Sequence, residues 1–515
     1  MCQGYHRVKS GRYSTDQFCP HEDTCFAITA RRRARAADLV VINHALLLGD
    51  IATGGMVLGK YSHLIIDEGH SLEAAARSAF TRTLSQESVD RLADEFAPMR
   101  RRRHGWLSRL PINGDSGDVR RCSELLSSAR ARSAQLFQVV GPQLEDERSG
   151  RSPQWESSTP FAELSERLRD VGRSVESLLD EIDEPELTRE GEGLLTTTDG
   201  IADLATTLMR APEENEVHWY ERDRFGIHLH VSPLDVAPLL ADQLYPGLHA
   251  LLLTSATLSL DGDFSYLSKS LGLDDSFERV EPLVVPSPFS HEERMRIYVP
   301  RYFPEATAPI AVYAERIAEL VVDLVQRTGR KALVLCTSYR LLHAVRDRIP
   351  ASMPTLSQGI DGPRSVLISR FRAADEPMIL LGADSFWEGV DLPRDALEIL
   401  VITRLPFPVP TDPIQAALAE RHAQRGGDPF FELAIPQAVL RLRQGVGRLI
   451  RTQQDHGIAV ITDHRLLSRS YGRRFVHSLP VPVRSFTDAT RLIEDASQWF
   501  ADAPTARIDD RSERN

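Results

Sequence analysis

The stretch Tyr61-Ser62-His63-Leu64-Ile65-Ile66-Asp67-Glu68-Gly69-His70 sets two adjacent carboxylates and an imidazole directly after a short apolar run. Residues 64–66 are too few for a helix and read as a buried parallel strand, one that delivers Asp67 and Glu68 to the C-terminal edge of an α/β sheet. Ligands of open α/β sheets bind at that edge. An aspartate there can hold a magnesium ion through water, and a neighbouring glutamate can polarise water that attacks a phosphoryl group. The plainer alternative is a strand that runs into an acidic helix N-cap.

A second group lies far downstream in Gln444-Gly445-Val446-Gly447-Arg448-Leu449-Ile450-Arg451, within a helical pattern that starts near Pro436. In a helix, Gln444, Arg448 and Arg451 fall on one face at i, i+4 and i+7. A glutamine and two guanidiniums on one face suit a phosphate chain and its transition-state charge, although an exposed arginine-rich helix has the same pattern. Residues 382–393 (G-A-D-S-F-W-E-G-V-D-L-P) follow a predicted strand and are rich in acids and glycine where the chain must turn. The run 251–253 ends in Thr254, Ser255 and Thr257, hydroxyls that can relay between a phosphate site and a second domain or simply form a strand-end turn.

Three of the five cysteines, Cys2, Cys19 and Cys25, lie within the first thirty residues. Thiolates select zinc or an iron–sulfur cluster, and three ligands are one short of either closed site. His6 or His21 can complete a Cys3His zinc site, the fourth ligand can lie outside this chain, or the thiols can be free. Gly54 to Lys60 has the spacing of a phosphate-binding loop, but Tyr61 follows the lysine in place of Ser or Thr, and the loop opens into a strand instead of a helix. It is rejected as a Walker A motif. The sequence holds no other match.

The elements that must position these groups follow from periodicity. A helix carrying Arg31, Arg32, Arg33 and Arg35 is predicted to lead into a buried strand over 37–44, before the Asp67 strand. From 72 to 216 the pattern is mostly helical, as in 85–96 and 161–182, and reads as an insertion; strand signals return over 217–220 and 226–231. From Arg296 the pattern is regular βα: strands at 296–299, 331–335, 378–381, 397–402 and 457–461 alternate with helices, the one containing Ile317 closed by Gly329. Alternating strands and helices mean a parallel, doubly wound sheet.

Length and composition agree with that organisation. A chain of 515 residues exceeds one core and predicts two to four domains. Hydrophobic content of 42% and charged content of 26% are those of an ordinary globular protein. No apolar run approaches a membrane span, there is no signal-peptide pattern, and the cysteines suggest no disulfide framework, so a cytoplasmic protein is expected. A net charge of −12 gives no global attraction for nucleic acid, so any such binding needs a local basic groove.

Taken in order, Asp67-Glu68-Gly69-His70, residues 254–257, residues 333–339, Glu388-Gly389-Val390-Asp391 and residues 444–451 resemble motifs II, III, IV, V and VI of superfamily 2 helicases. The cysteine cluster before motif II and the helical insertion after it narrow the resemblance to the XPD/DinG family. Residues 402–408 (I-T-R-L-P-F-P) and 37–44 are similar to bacterial DinG and YoaA proteins. The resemblance implies two RecA-like, P-loop NTPase-type α/β domains, the first incomplete, with an iron–sulfur module and a helical arch. By position these would be 1–30 for the cysteine module, 31–71 with 217–280 for the first motor domain, 72–216 for the arch, 281–500 for the second motor domain and 501–515 for a disordered tail.

The same resemblance implies roles. Asp67 and Glu68 would coordinate magnesium and activate water, His70 would link them to the second domain, and Arg448 and Arg451 would be arginine fingers with Gln444 near the γ-phosphate. Gly389, Asp391 and Gly447 would line the nucleotide, while Thr254, Ser255, Thr257, Ser338, Tyr339 and Glu388 would couple it to DNA. Cys2, Cys19 and Cys25 would ligate a [4Fe–4S] cluster whose fourth ligand is not in this chain. The implied activity is 5′-to-3′ unwinding of single-stranded or forked DNA, driven by ATP and Mg2+, by a monomer without membrane contact, in DNA repair or replication stress. Gly69 stands where the family usually has alanine. The family's Walker A segment and first cysteine are expected upstream of Met1, and without them this chain is expected to hydrolyse ATP poorly. A non-catalytic single-strand-binding protein is the main rival; a nuclease would need a further acidic domain that does not fit in this length.

Overall fold

The computed structural model describes residues 25–55, 57–98, 105–111, 117–145, 147–260, 262–273, 280–383, 386–387 and 397–502. Cys2, Cys19, Glu388, Gly389, Asp391 and the 503–515 tail therefore lie outside the described residues. The chain divides into two compact units: Met1–Ser255 with Leu267–Glu278 and Val409–Arg425, and Ala256–Tyr266 with Arg279–Pro408 and Gly426–Asn515.

In the first unit, β1 (His63–Asp67) carries the acidic motif; β2 (Arg82–Ser85), β3 (Ser149–Arg151), β4 (Glu216–Asp223) and β5 (Gly226–Pro233) follow, then β6 (Ala250–Thr254). β1 and β6 pair in parallel, Asp67 opposite Thr254 and Ile65 opposite Leu252. Among the described residues only one face of this pair is covered. Ile66 is buried, whereas Ile65 and Leu252 are 67% and 56% exposed, so the expectation of fully buried strands at 64–66 and 251–253 holds for one face alone. The strand expected over 37–44 is not formed. Helix Phe26–Ala36 ends, the chain runs with Leu39 and Val41 exposed, and Asn43 caps helix His44–Ala52 by accepting from the Leu46 amide. A strand needs a neighbour's backbone groups, and among the described residues neither β1 nor β6 pairs with this segment.

The insertion is helical as expected, and its core is a zipper. Leu164, Leu168, Val171, Val175 and Leu178 recur at helical spacing along Thr159–Leu179 and are fully buried between helices Gly117–Val140 and Pro185–Met209. Trp106 is buried there too, its indole N–H donating to the Leu187 carbonyl at 2.8 Å. The insertion also contains strands. β2 and β3 pair with β5 and β4 in one antiparallel sheet of order β2-β5-β4-β3, so the 217–231 hairpin shares a sheet with strands from the insertion. Its Tyr220 and Leu229 face the helical core, while Val217 and Trp219 face helix Pro413–Gln424 through Ile414, Ala417 and Leu418. The family resemblance assigns these residues by position to the second motor domain; the apolar stripe of the helix packs on the first unit's sheet.

The second unit is the parallel sheet that the βα pattern predicts. β7 (Met295–Pro300), β8 (Ala332–Leu335), β9 (Thr355–Ser357), β10 (Ile379–Gly382), β11 (Ile399–Ile402), β12 (Gly457–Ile461) and β13 (Val483–Phe486) lie in the order β13-β7-β12-β11-β8-β10-β9, all parallel. The runs A-L-V-L, I-L-V-I and G-I-A-V-I are buried throughout because helices cover both faces. Gly329 closes helix Ile310–Thr328 in the left-handed region at φ 67°.

Candidate active site

Asp67 ends β1, and the next residue turns sharply: Glu68 is at φ 52°, ψ 43°, the one non-glycine residue with positive φ among those described. The turn swings the Glu68 carboxylate away from the strand axis toward the end of the neighbouring strand. There the Ser255 hydroxyl donates to Glu68 Oε2 at 3.1 Å, and His70 Nδ1 stands 2.8 Å from Ser255 Oγ and 3.3 Å from Glu68 Oε2. One proton order fits: His70 Nδ1–H donates to Ser255 Oγ, whose hydrogen goes to Glu68. The acidic motif and the Thr254-Ser255 strand end, far apart in sequence, are thus one hydrogen-bonded group. Thr254 is exposed at the end of β6.

Two residues that the sequence reading passed over buttress this turn. His44 Nε2–H donates to the Asp67 carbonyl at 2.9 Å, and Ser71 donates to the Glu68 carbonyl at 2.8 Å. The signal for His44 was its place at the start of a capped helix just upstream. The loop that mimics a phosphate-binding motif does run into β1 and not into a helix. It is anchored by buried Asp50, whose carboxylate accepts from the Val57 and Leu58 amides at 2.6 and 3.1 Å, with Gly54, Gly55 and Gly59 at φ 75–85°.

In the second unit, helix Ile435–Val446 carries Gln444 in its last turn and stops, with Gly447 as C-cap. Arg448 and Arg451 therefore do not share a helical face with Gln444, as the spacing predicts. The G-V-G sequence explains the stop, and Gly445 is needed for contact: a Cβ there would lie 3.1 Å from the Trp387 ring. Arg448 is 7% exposed and donates through Nη1 to the Phe386 carbonyl at 2.5 Å and through Nη2 to the Trp387 carbonyl. It braces the turn that follows β10. Arg451 is exposed, its backbone N–H held by Asp455 at 2.7 Å. Gln444 Nε2 donates to buried Thr257 Oγ1 at 3.1 Å, and Arg443 donates to the Ser259 and Ala256 carbonyls. Motif VI thus grips the segment just after Ser255. The R-L-R-Q run had held that arginine in plain view.

The segment after β8 is also wired to its neighbour. Ser338 caps helix Tyr339–Arg346, its hydroxyl accepting from the Leu341 amide at 3.2 Å. Tyr339 is 42% exposed, and its hydroxyl accepts from Gln358 Nε2 at 2.6 Å. The other end of Gln358 accepts from the Ala383 amide at 2.8 Å, which ties motif IV to the start of motif V. All these groups emerge at the carboxyl ends of β8, β9 and β10, the edge where α/β sheets bind ligands.

Cys25, partly buried, is the N-cap residue of helix Phe26–Ala36. Among the described residues no group of three or more His, Cys, Asp or Glu side chains is placed to hold a metal ion, and no helix is long and apolar enough to cross a membrane.

Residues 321–481, most of the second unit's sheet, match the profile of the helicase C-terminal domain. Over 500 residues the chain is 31% identical to the ATP-dependent DNA helicase YoaA of Escherichia coli strain K12, covering 95% of this chain and 73% of that protein. The chain belongs to the XPD/DinG family of superfamily 2 helicases. YoaA of Haemophilus influenzae is 30% identical over 490 residues, 92% of this chain and 71% of the relative. An XPD helicase structure aligns with a TM-score of 0.54 over 92% of this chain and 76% of its own, at 16% identity; it shares the fold.

Proposed function

We propose that this chain is an ATP-dependent DNA helicase of the DinG/YoaA type, which couples ATP hydrolysis to 5′-to-3′ unwinding in repair or replication stress. The observation that carries the reading is the Glu68–Ser255–His70 hydrogen-bonded chain at the ends of two parallel strands. It gives a carboxylate a fixed direction at a sheet edge, which a water-activating base needs. In this reading Asp67 holds Mg2+ through water, Glu68 orients the attacking water, and Gln444 with Arg451 faces the nucleotide's phosphates. Magnesium would neutralise charge developing on the β- and γ-phosphates. Arg443 and Gln444 hold the segment Ala256–Ser259 through its Ala256 and Ser259 carbonyls and the Thr257 hydroxyl. Glu388, Gly389, Asp391 and Gly447 keep the nucleotide and coupling roles that the family pattern gives them, and Tyr339 and Ser338 lie toward DNA.

Cys2, Cys19 and Cys25 would supply three thiolates to a [4Fe–4S] cluster, with helix Phe26–Ala36 and its arginines following the last of them. A brown preparation with visible absorbance supports the cluster; stoichiometric zinc in a colourless one supports the Cys3His alternative.

The test is unwinding of a forked duplex with a 5′ single-stranded arm by the protein purified from its source. ATP-dependent unwinding, lost in Glu68→Gln with strand binding retained, is the expected result; unwinding that survives Glu68→Gln would overturn the assignment of the base. A recombinant polypeptide of these 515 residues is expected to hydrolyse ATP poorly, because the sequence holds no Walker A match, and robust DNA-stimulated turnover by it would refute that. The same observation favours the second reading, a single-strand-binding protein without catalysis. That protein would bind strands with strong salt dependence and no response to ATP.

A further inference from the structure

The direction of the Glu68 carboxylate depends on two consecutive peptide planes, and both are held by residues outside β1. Glu68 sits in the left-handed region at φ 52° and ψ 43°, where a residue with a Cβ is strained. It stays there only when the peptides on either side are fixed by their surroundings. Rotation of the Asp67–Glu68 peptide would release the strain by returning Glu68 to the right-handed region. The carboxylate would then leave Ser255, whose hydroxyl now reaches it at 3.1 Å.

The Asp67–Glu68 plane is pinned at both ends. Its N–H donates to Asp67 Oδ1 at 3.0 Å, and its carbonyl accepts from His44 Nε2 at 2.9 Å. The first bond comes from the adjoining side chain and can turn with the plane. The second comes from 23 positions away and cannot. The Glu68–Gly69 plane is held in a similar way, its carbonyl accepting from the Ser71 amide at 2.9 Å and the Ser71 hydroxyl at 2.8 Å. Ser71 Oγ also lies 3.1 Å from His44 Nδ1. A carbonyl only accepts, so the ring hydrogen is on Nε2, and Nδ1 shares the serine's hydrogen with the Glu68 carbonyl. One imidazole thus serves both planes.

His44 is itself fixed. It opens helix His44–Ala52, whose first turn is closed by Asn43 accepting from the Leu46 amide at 2.8 Å. Leu47 and Leu48 are buried, and Asp50, near the other end, accepts from the Val57 and Leu58 amides. The helix lies against helix Leu72–Phe80, which leads away from the acidic motif. A ring mounted on an element held at both ends delivers its N–H to one point, as a lock on a peptide plane requires.

We propose that His44 is a positioning residue for ATP hydrolysis: it locks the Asp67–Glu68 peptide and so aims the Glu68 carboxylate at the attacking water. This role rests on the helicase reading, in which Glu68 orients that water, and adds to it a residue outside the acidic motif that acts through the backbone alone.

The experiment compares His44→Gln, His44→Asn and His44→Ala in the protein purified from its source. The glutamine amide can place an N–H where Nε2–H stands, the shorter asparagine cannot, and alanine removes the donor. Two readouts are taken: kcat and KM for DNA-stimulated ATP hydrolysis, and hydrogen exchange of the Glu68 and Ser71 amides. His44→Ala and His44→Asn are expected to lower kcat about a hundredfold, the effect of a misaimed catalytic group, and to change the KM for ATP less than about threefold. The same two variants are expected to speed exchange of both amides about tenfold, one hydrogen bond's worth. His44→Gln is expected to stay close to the wild type in both readouts. If all three variants keep the wild-type kcat while Glu68→Gln abolishes turnover, His44 does not aim the carboxylate and the helicase reading stands. If all three lose kcat equally and lower the unfolding midpoint together, His44 serves stability alone and the positioning role is overturned. A kcat that follows the donor while exchange stays unchanged would overturn the peptide lock. If the wild type hydrolyses no ATP, the helicase reading and the positioning role both fall.

Discussion

Arg448 is where a transferred role and the local geometry pull apart. A guanidinium that serves only a nucleotide leaves folding stability untouched when it is shortened. Here both ends donate to carbonyls of the turn after β10, in a setting 93% shielded by the 7% exposure of the residue. Arg448→Met removes every donor, and leaving these buried carbonyls bare costs about 2 kcal/mol or more. Chemical denaturation should record that loss in the second unit's transition, and an unchanged midpoint would return Arg448 to a purely catalytic role. His230 provides a pH test. Burial, and then the charge of His228 beside it, hold its pKa down to about 4, with Thr83 hydrogen-bonded at Nδ1 and Trp219 stacked on the ring. Unfolded, it titrates near 6.5, so between those values the unfolded state binds more protons and stability falls as pH falls. From pH 7 to pH 4.5 the wild type should lose on the order of 2 kcal/mol more than His230→Asn, as measured by urea unfolding. Equal losses would remove His230 from the account.

Elements act here as brackets for those residues. The Ser338 hydroxyl is engaged as the N-cap of helix Tyr339–Arg346, the same helix that presents Tyr339. Ser338→Ala should cost about 1 kcal/mol and Ser338→Asp close to nothing, because either oxygen caps. If strand binding falls with Ser338→Ala and recovers with Ser338→Asp, Ser338 works by holding Tyr339 in place. A hydroxyl that itself touches a phosphate would instead fare worse as aspartate. Helix Pro413–Gln424 is the corresponding bracket in the first unit. Asp412 caps it and Arg421 bonds Asn215 at 2.9 Å, so a segment reached late in the chain braces the sheet beside the insertion.

At the scale of the molecule, two units with separate apolar cores imply two cooperative transitions. Leu168 is wholly buried in the helical core of the first unit. Leu168→Ala should cost about 2–5 kcal/mol and lower one calorimetric transition while the other stays in place. A single transition that shifts as a whole would mean that the units fold as one.

Much of this was legible in the residues. The apolar runs of the second unit's inner strands are short, buried on both faces and separated by helical periods, so five of its seven strands, their parallel direction and the family could be read before any coordinates, while the strands at 355–357 and 483–486 and the order of the sheet could not. The Asp67-Glu68 turn and the Thr254-Ser255 strand end were recognisable as types of site. Their union was not, since a hydrogen bond between residues 187 positions apart exists only once β1 and β6 lie side by side. The burial of Arg448 was equally out of reach, because its partners, the Phe386 and Trp387 carbonyls, lie 62 and 61 positions away in the chain. The strand expected over 37–44 failed for the complementary reason: an apolar run is strand-like, but it becomes a strand only when a neighbour's backbone meets it. Composition and spacing thus determine which elements can form and what chemistry they carry. Which of them touch is decided by the tertiary structure, since contact energies depend on positions that no local pattern contains.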